Sequence, residues 1–137
     1  WITAGLDFRW NLTPTTATWV HVMGAMGHSL GWVLFLWALK ANAFFSEGVR
    51  IQPERGHSVV SNGPYRFIRH PGYSGVILSN FFLPLLLGSI WAYIPTTLSI
   101  AMYVLRTYLE DRFLQQQLFG YTAYTQKTRY RLIPGVW

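Results

Sequence analysis

The feature that most constrains this chain is a run of 35 residues, Pro71 to Leu105, without an Asp, Glu, Lys or Arg. A second uncharged stretch covers Trp10 to Leu39, and its part from about Thr16 to Leu39 exceeds the roughly 20 residues that an apolar helix needs to cross a hydrocarbon layer. Only 12% of the residues are charged, against about 25% in an ordinary soluble domain. The sequence therefore predicts a membrane protein built from helices.

The longer run is interrupted by Pro84, Gly88 and Pro95. We expect two helices in it, at about Pro71–Leu87 and Trp91–Leu118, joined by a short turn. Together with the helix before them, they predict an all-α fold: a polytopic membrane helix bundle that contains a helical hairpin. The 137 residues suffice for a single domain, and we expect upstream helices to be missing from it.

Positive charge is concentrated in the later part of the chain. The net charge is +6, and most Lys and Arg residues lie in two clusters, the loop 40–70 and the tail after Arg112. Positive loops beside apolar segments mark the cytoplasmic side of a membrane, and this arrangement fits that rule better than a nucleic-acid surface. We expect both clusters, and a cofactor pocket between them, to face the cytoplasm, with membrane lipid as a partner and no nucleic acid.

The basic turn Gly63–Gly75 leads directly into the longest apolar run. Proline suits the first position of a helix, so Pro71 predicts a helix start whose free N–H groups and positive dipole end attract anions. Arg66, Arg69 and His70 add cationic groups there. The turn predicts a site for a small ligand that bears a carboxylate or a phosphate. The alternative is a membrane-surface anchor that contacts lipid headgroups.

Two ionisable residues, Arg106 and Glu110, lie four positions apart at the end of the uncharged run and share one helical face. They form either a surface salt bridge or part of a ligand site, since ionisable residues at membrane depth are often functional. The hairpin would bring Glu110 back to the side of His70. There Glu110 could hold a ligand ammonium group, while Arg106 holds an acidic substrate.

The remaining polar features are less specific. His21 and His28 share a helix face, which permits a bis-imidazole haem site but favours polar contacts within a helix bundle. The chain has no Cys, and we predict no metal site. The tail Gly120–Pro134 has the composition of a basic, aromatic segment that lies on a membrane or covers a site, and the sequence does not decide between these.

Several of these motifs together resemble a known family. They are the run from Glu54 to Val60, Gly63-Pro64-Tyr65, Arg69-His70-Pro71-Gly72-Tyr73-Ser74-Gly75, the downstream Glu110, and the tail that ends Arg131-Leu132-Ile133-Pro134. The chain resembles, over about residues 42–134, the isoprenylcysteine carboxyl methyltransferase family of integral membrane methyltransferases, which is related to phospholipid methyltransferases. It departs from the family in carrying Asp111 where a second Glu is common.

The resemblance implies an S-adenosylmethionine-dependent methyltransferase whose acceptor is lipid-like or isoprenoid-linked, with a carboxylate as the methylated group. It implies catalytic roles for Arg106 and Glu110, with Arg106 also on the substrate side. The residues that it implies for the cofactor pocket are His57, Ser58, Val59, Val60, Tyr65, His70, Pro71, Gly72, Tyr73 and Glu110.

Two alternatives belong to other classes. Membrane sterol reductases, which bind NADPH, resemble this chain in an Arg-His-x-x-Tyr-x-Gly turn and a Tyr-Arg-x-Ile-Pro tail. A non-enzymatic membrane protein whose basic loop binds anionic lipid would show the same charge pattern. Gly63-Pro64-Tyr65-Arg66 and the Arg106–Glu110 pair favour methyl transfer.

Overall fold

The computed structural model describes residues 2–46 and 50–137, and within them it is all-helical. Five helices follow one another along the chain, with two short 3-10 turns at Pro53–Arg55 and Gly63–Arg66. The helices are α1 (Ile2–Trp10), α2 (Thr18–Ala41), α3 (Pro71–Leu87), α4 (Tyr93–Gln117) and α5 (Tyr121–Lys127).

The three predicted apolar helices are confirmed as helices α2, α3 and α4. Of the described helices, α2 is the one long and apolar enough to cross a membrane, and α3 is a shorter apolar helix. The predicted turn between α3 and α4 contains Gly88 at a φ of 62°, a left-handed conformation that glycine adopts at little cost. Helices α1 and α5 were not predicted, since neither has an apolar run of useful length.

The described chain divides into two compact units. The first unit comprises residues 2–33 and 75–103, and the second comprises residues 34–46, 50–74 and 104–137. Helices α2, α3 and α4 each contribute residues to both units.

Within the first unit, α2 and α3 pack closely at glycines. A Cβ atom at Gly24 would lie 2.2 Å from the backbone nitrogen of Leu86, and one at Gly31 would lie 2.6 Å from the backbone oxygen of Gly75. Small residues permit such contact because no side chain separates the two backbones. The glycine pattern of α2 is therefore explained by helix packing.

The histidines of the first unit make polar contacts within the helix pair. Nδ1 of His21 lies 3.0 Å from the Leu86 carbonyl oxygen, and its Nε2 lies 2.7 Å from the Thr16 hydroxyl. Nδ1 of His28 lies 2.8 Å from the Ser79 hydroxyl, and its Nε2 accepts a hydrogen bond from Trp32 at 3.1 Å. Both ring nitrogens of each histidine are thus engaged, which confirms polar packing over a haem site.

Candidate functional site

A cavity that opens to solvent lies within the second unit. The space inside it, its solvent-filled mouth included, is about 770 Å³. It is formed where the irregular segment before α3, the first turn of α3, the end of α4 and the residues of α5 meet. Its described lining residues are Asn42, Phe44, Phe45, Ser46, Arg50, His57, Ser58, Val59, Val60, Tyr65, Arg69, His70, Gly72, Tyr73, Glu110, Leu114, Leu118, Tyr121 and Tyr124.

Nine of the ten residues implied for the cofactor pocket line this cavity. They are His57, Ser58, Val59, Val60, Tyr65, His70, Gly72, Tyr73 and Glu110. Pro71 is fully buried and is not among the described lining residues. Its contribution is the start of α3, which presents its neighbours Gly72 and Tyr73 to the cavity.

The predicted meeting of His70 and Glu110 is confirmed. Nδ1 of His70 lies 3.9 Å from Oε1 of Glu110, although the two residues are separated by 40 positions in the chain. The ring of His70 also stacks on that of Tyr73, with centroids 5.8 Å apart and an angle of 8° between the planes. The first turn of α3 and the C-terminal part of α4 therefore form one wall of the cavity.

The hydroxyl group of Tyr73 joins the two ionisable residues that share a face of α4. It donates a hydrogen bond to Oε2 of Glu110 at 2.5 Å and accepts one from Nε of Arg106 at 2.8 Å. The Arg106 guanidinium carbon lies 5.5 Å from the centre of the Tyr73 ring. Arg106 is not among the described lining residues, and its hydrogen bond to Tyr73 connects it to a residue that is. The side chain of Glu110 is 21% exposed, which leaves part of its carboxylate accessible to a ligand.

Asp111, the neighbour of Glu110, has a different environment, which sequence reasoning missed. It is fully buried, and its oxygens lie 2.9 Å from Nε of Arg69 and 2.9 Å from Nε of Arg131. Tyr121 donates a hydrogen bond to it at 3.1 Å. Burial alone would raise the pKa of Asp111, but the hydrogen bonds from His70 and Arg131 and the charge of Arg69 hold it well below its usual range. Asp111 is therefore a buried anion.

This network shows what the arginines of the basic turn, which we expected to serve an anionic ligand, contact in the fold. Arg69 lines the cavity, but its side chain is 6% exposed and its charge is balanced by Asp111. Arg66 is exposed, lies over the Phe67 ring, and is not among the described lining residues. The N–H of Ser74, in the first turn of α3, is also occupied, since it donates to the His70 carbonyl.

The segment before α3 provides an aromatic wall. The rings of Phe44 and His57 stack with centroids 4.5 Å apart. The buried side chain of Gln52 fixes this segment, because it donates to the Phe44 carbonyl at 2.8 Å and accepts from Arg55 at 2.7 Å. Burial and the charge of Arg55 lower the pKa of His57, which favours its neutral form. The sequence pattern did not predict these contacts.

Two tyrosines of the tail are part of the cavity wall. Gly120, at a φ of 84°, precedes α5, which places Tyr121 and Tyr124 in the cavity lining, both buried. Tyr124 donates a hydrogen bond to the Tyr65 carbonyl at 2.6 Å. Burial raises the pKa of Tyr124 to about 12. These two tyrosines are therefore buried inside the second unit.

Most of the residues that line the cavity fall within a known family pattern. Residues 25–116 match the family described as the isoprenylcysteine carboxyl methyltransferase family. The chain belongs to this family. The family assignment expected from the sequence motifs is thereby confirmed.

Two curated relatives carry the family's activity in their names. The chain is 30% identical over 89 residues to probable protein-S-isoprenylcysteine O-methyltransferases of Oryza sativa subsp. indica and subsp. japonica. The aligned part is 64% of this chain and 47% of each relative, so the chain spans about half the length of the curated relatives it matches. The family match includes Tyr73, Arg106 and Glu110 and ends before α5.

Proposed function

We propose that this chain is an S-adenosylmethionine-dependent membrane methyltransferase. Its acceptor is lipid-like or isoprenoid-linked, and the group that it methylates is a carboxylate of that acceptor. The observation that carries the proposal is the hydroxyl of Tyr73, which links Glu110 in the cavity to Arg106 outside it. The Glu110 carboxylate thus lies in the lining of a cavity that could hold a small ligand. The Arg106 guanidinium is hydrogen-bonded to Tyr73 in the same lining.

The cavity lining fits the chemical groups of S-adenosylmethionine. Glu110 can accept hydrogen bonds from an ammonium or hydroxyl group, and Arg50 supplies an exposed cation for a carboxylate. The Phe44–His57 stack offers an aromatic face to the adenine ring. Tyrosine rings stabilise a sulfonium by cation–π attraction. When bound, the cofactor supplies an electrophilic methyl group.

The protein's task in such a reaction is mainly positioning. A carboxylate acceptor carries no proton at neutral pH, so no base is needed to activate it. Arg106 would hold that carboxylate, and Tyr73 would fix the orientation of Arg106. Glu110, held by the same hydroxyl, would fix the ligand in the cavity. Correct alignment of two reactants alone can lower a barrier by roughly 7–11 kcal/mol.

The NADPH-dependent reductase alternative fits the cavity less well. A dinucleotide with several phosphates needs cationic groups in its site. Of the two arginines that line the described cavity, Arg69 is balanced by Asp111, which leaves Arg50 alone for the several phosphates of a dinucleotide. Glu110 would in addition repel phosphate. The charge balance of the lining therefore favours a ligand that carries an ammonium group.

Calorimetric titration of the full chain in detergent with S-adenosylmethionine and, separately, with NADPH tests the proposal. We expect saturable binding of S-adenosylmethionine and none of NADPH. The reverse pattern would support the reductase. Binding of neither, together with binding to vesicles that contain anionic lipid, would favour the non-enzymatic alternative.

We further propose that the chain is a multi-pass membrane protein whose cavity faces the cytoplasm. The loop 40–70 and the tail after Arg112, which carry most of the positive charge, belong to the same unit. Cysteines introduced singly at Arg55 and Arg129, both exposed, should be labelled by an impermeant reagent from the cytoplasmic side alone. Labelling of the two positions from opposite sides would contradict the topology.

A further inference from the structure

The C-terminal residues of the second unit run along the basic turn. The backbone N–H groups of Arg69 and His70 donate to the carbonyls of Tyr130 and Arg131, each at 2.9 Å. The Ser74 hydroxyl donates to the Leu132 carbonyl at 2.7 Å. Residues 130–132 are therefore hydrogen-bonded to the same stretch of chain that presents His70 to the cavity.

A single buried carboxylate joins this docked segment to the cavity wall. Asp111 lies in the C-terminal part of α4, directly after Glu110. Its two oxygens are approached by groups from the basic turn, α4, α5 and the C-terminal segment. These groups belong to Arg69, His70, Gln115, Tyr121 and Arg131.

The two arginines that pair with Asp111 differ in exposure. The Arg69 side chain is 6% exposed, so loss of Asp111 would leave a cation buried without a counter-charge. The Arg131 side chain is 25% exposed and also lies over the Trp137 ring at 5.0 Å. Removal of the Arg131 charge leaves Asp111 paired with Arg69. We therefore expect a change at Arg131 to disturb the fold less than a change at Asp111.

We propose that Arg131 is a positioning residue: its ion pair with Asp111 docks the C-terminal segment against the basic turn and thereby fixes His70 and Tyr121 in the cavity wall. This inference rests on the proposed cofactor site. Arg131 touches Asp111 rather than the cavity, and it is not among the described lining residues. It acts on the ligand through the residues that Asp111 holds.

The variants Arg131→Gln and Arg131→Lys test the proposal, with Arg129→Gln as the matched control. Arg129 is exposed, lies in the same segment and loses the same charge. Hydrogen exchange of the ligand-free chain reports the docking, because the amides of Arg69 and His70 donate to residues 130 and 131. We expect Arg131→Gln to accelerate exchange at these amides and to weaken S-adenosylmethionine binding about tenfold, as loss of a charge-assisted hydrogen bond does. Arg131→Lys should restore part of both, and Arg129→Gln should change neither.

Three results would overturn the inference. Unchanged exchange in Arg131→Gln would show that the ion pair does not dock the segment. Faster exchange with unchanged cofactor affinity would show that the docked segment does not shape the cavity. Equal effects of Arg129→Gln and Arg131→Gln would show that exchange and affinity respond to the lost positive charge and not to the ion pair with Asp111. Failure of the wild-type chain to bind S-adenosylmethionine would instead reject the proposed cofactor, and exchange at Arg69 and His70 would still decide whether Arg131 docks the segment.

Discussion

The two units of this protein bury polar groups in different ways. In the first unit the buried Asp7 is held by neutral donors, namely the backbone N–H and hydroxyl of Thr13 and the hydroxyl of Ser89. In the second unit the buried Asp111 is held by the cations Arg69 and Arg131. Both carboxylates therefore join separate segments of the chain, Asp7 through neutral donors and Asp111 through cations.

The difference indicates where function can reside. In the first unit the described contacts of Asp7, His21 and His28 are made within the fold, and these residues do not line the described cavity. In the second unit Asp111 takes up the buried positive charge, and Glu110, one residue before it, keeps a partly exposed carboxylate at the cavity. Adjacent acids on one helix thus have separate tasks, one in the fold and one at the proposed ligand site.

The largest effect that we expect is on stability, from Asp111→Asn. The variant leaves the buried Arg69 without a counter-charge, which typically costs about 3–5 kcal/mol. The free energy of unfolding of the full chain in detergent, from denaturant titration, measures it. The matched variant Asp7→Asn should cost clearly less, because the hydroxyls of Thr13 and Ser89 can either donate or accept. Equal losses in both variants would remove the contrast between the units.

The next effect concerns ligand affinity and separates Glu110 from Arg106. Glu110→Gln should weaken S-adenosylmethionine binding by about 1.5–3 kcal/mol, roughly ten- to a hundredfold, because a charged acceptor in the cavity is lost. Arg106→Ala should leave this affinity nearly unchanged and slow methyl transfer to an acidic, lipid-like acceptor. Calorimetry and a methyl-transfer assay measure the two quantities. Small and similar effects in both variants would indicate only a structural contact on α4.

A smaller effect is expected from Tyr73→Phe, which keeps the ring and removes the hydroxyl that joins Glu110 to Arg106. We expect transfer to slow about tenfold, in line with the loss of one hydrogen bond to charged groups. If Tyr73 acts by orienting Arg106, the double variant with Arg106→Ala should be little slower than Arg106→Ala alone. Additive losses in this cycle would show that the hydroxyl acts independently of Arg106.

The smallest effect should come from the first unit. His28→Gln retains polar atoms near Ser79 and should change stability by about 1 kcal/mol, the usual net value of a hydrogen bond. It should leave S-adenosylmethionine affinity unchanged, which calorimetry checks. Weaker cofactor binding in this variant would show that the polar groups of the first unit also affect the ligand site. That result would contradict the functional contrast between the two units.

The sequence by itself determined the three long helices and about half of the candidate lining. Long uncharged runs can satisfy their backbone groups in a membrane only as helices or closed barrels, so α2, α3 and α4 follow from composition and from the breaks near Gly88. The spacing of Arg106 and Glu110 placed them on one helical face whatever the rest of the fold did. The family motifs around His57 and His70, together with the downstream Glu110, contain nine residues that line one cavity.

Only the tertiary structure decided how the charges are used. Arg69, Arg131 and Asp111 are far apart in the chain, and a pattern of local spacing cannot show which cation meets which anion. The basic turn therefore predicted cations for an anionic ligand. In the fold, Arg69 forms an ion pair with Asp111, and Tyr121 lines the cavity and donates a hydrogen bond to Asp111. The strength of an ion pair between distant residues depends on the distance between the two charges and on their burial. Both of these depend on the tertiary structure.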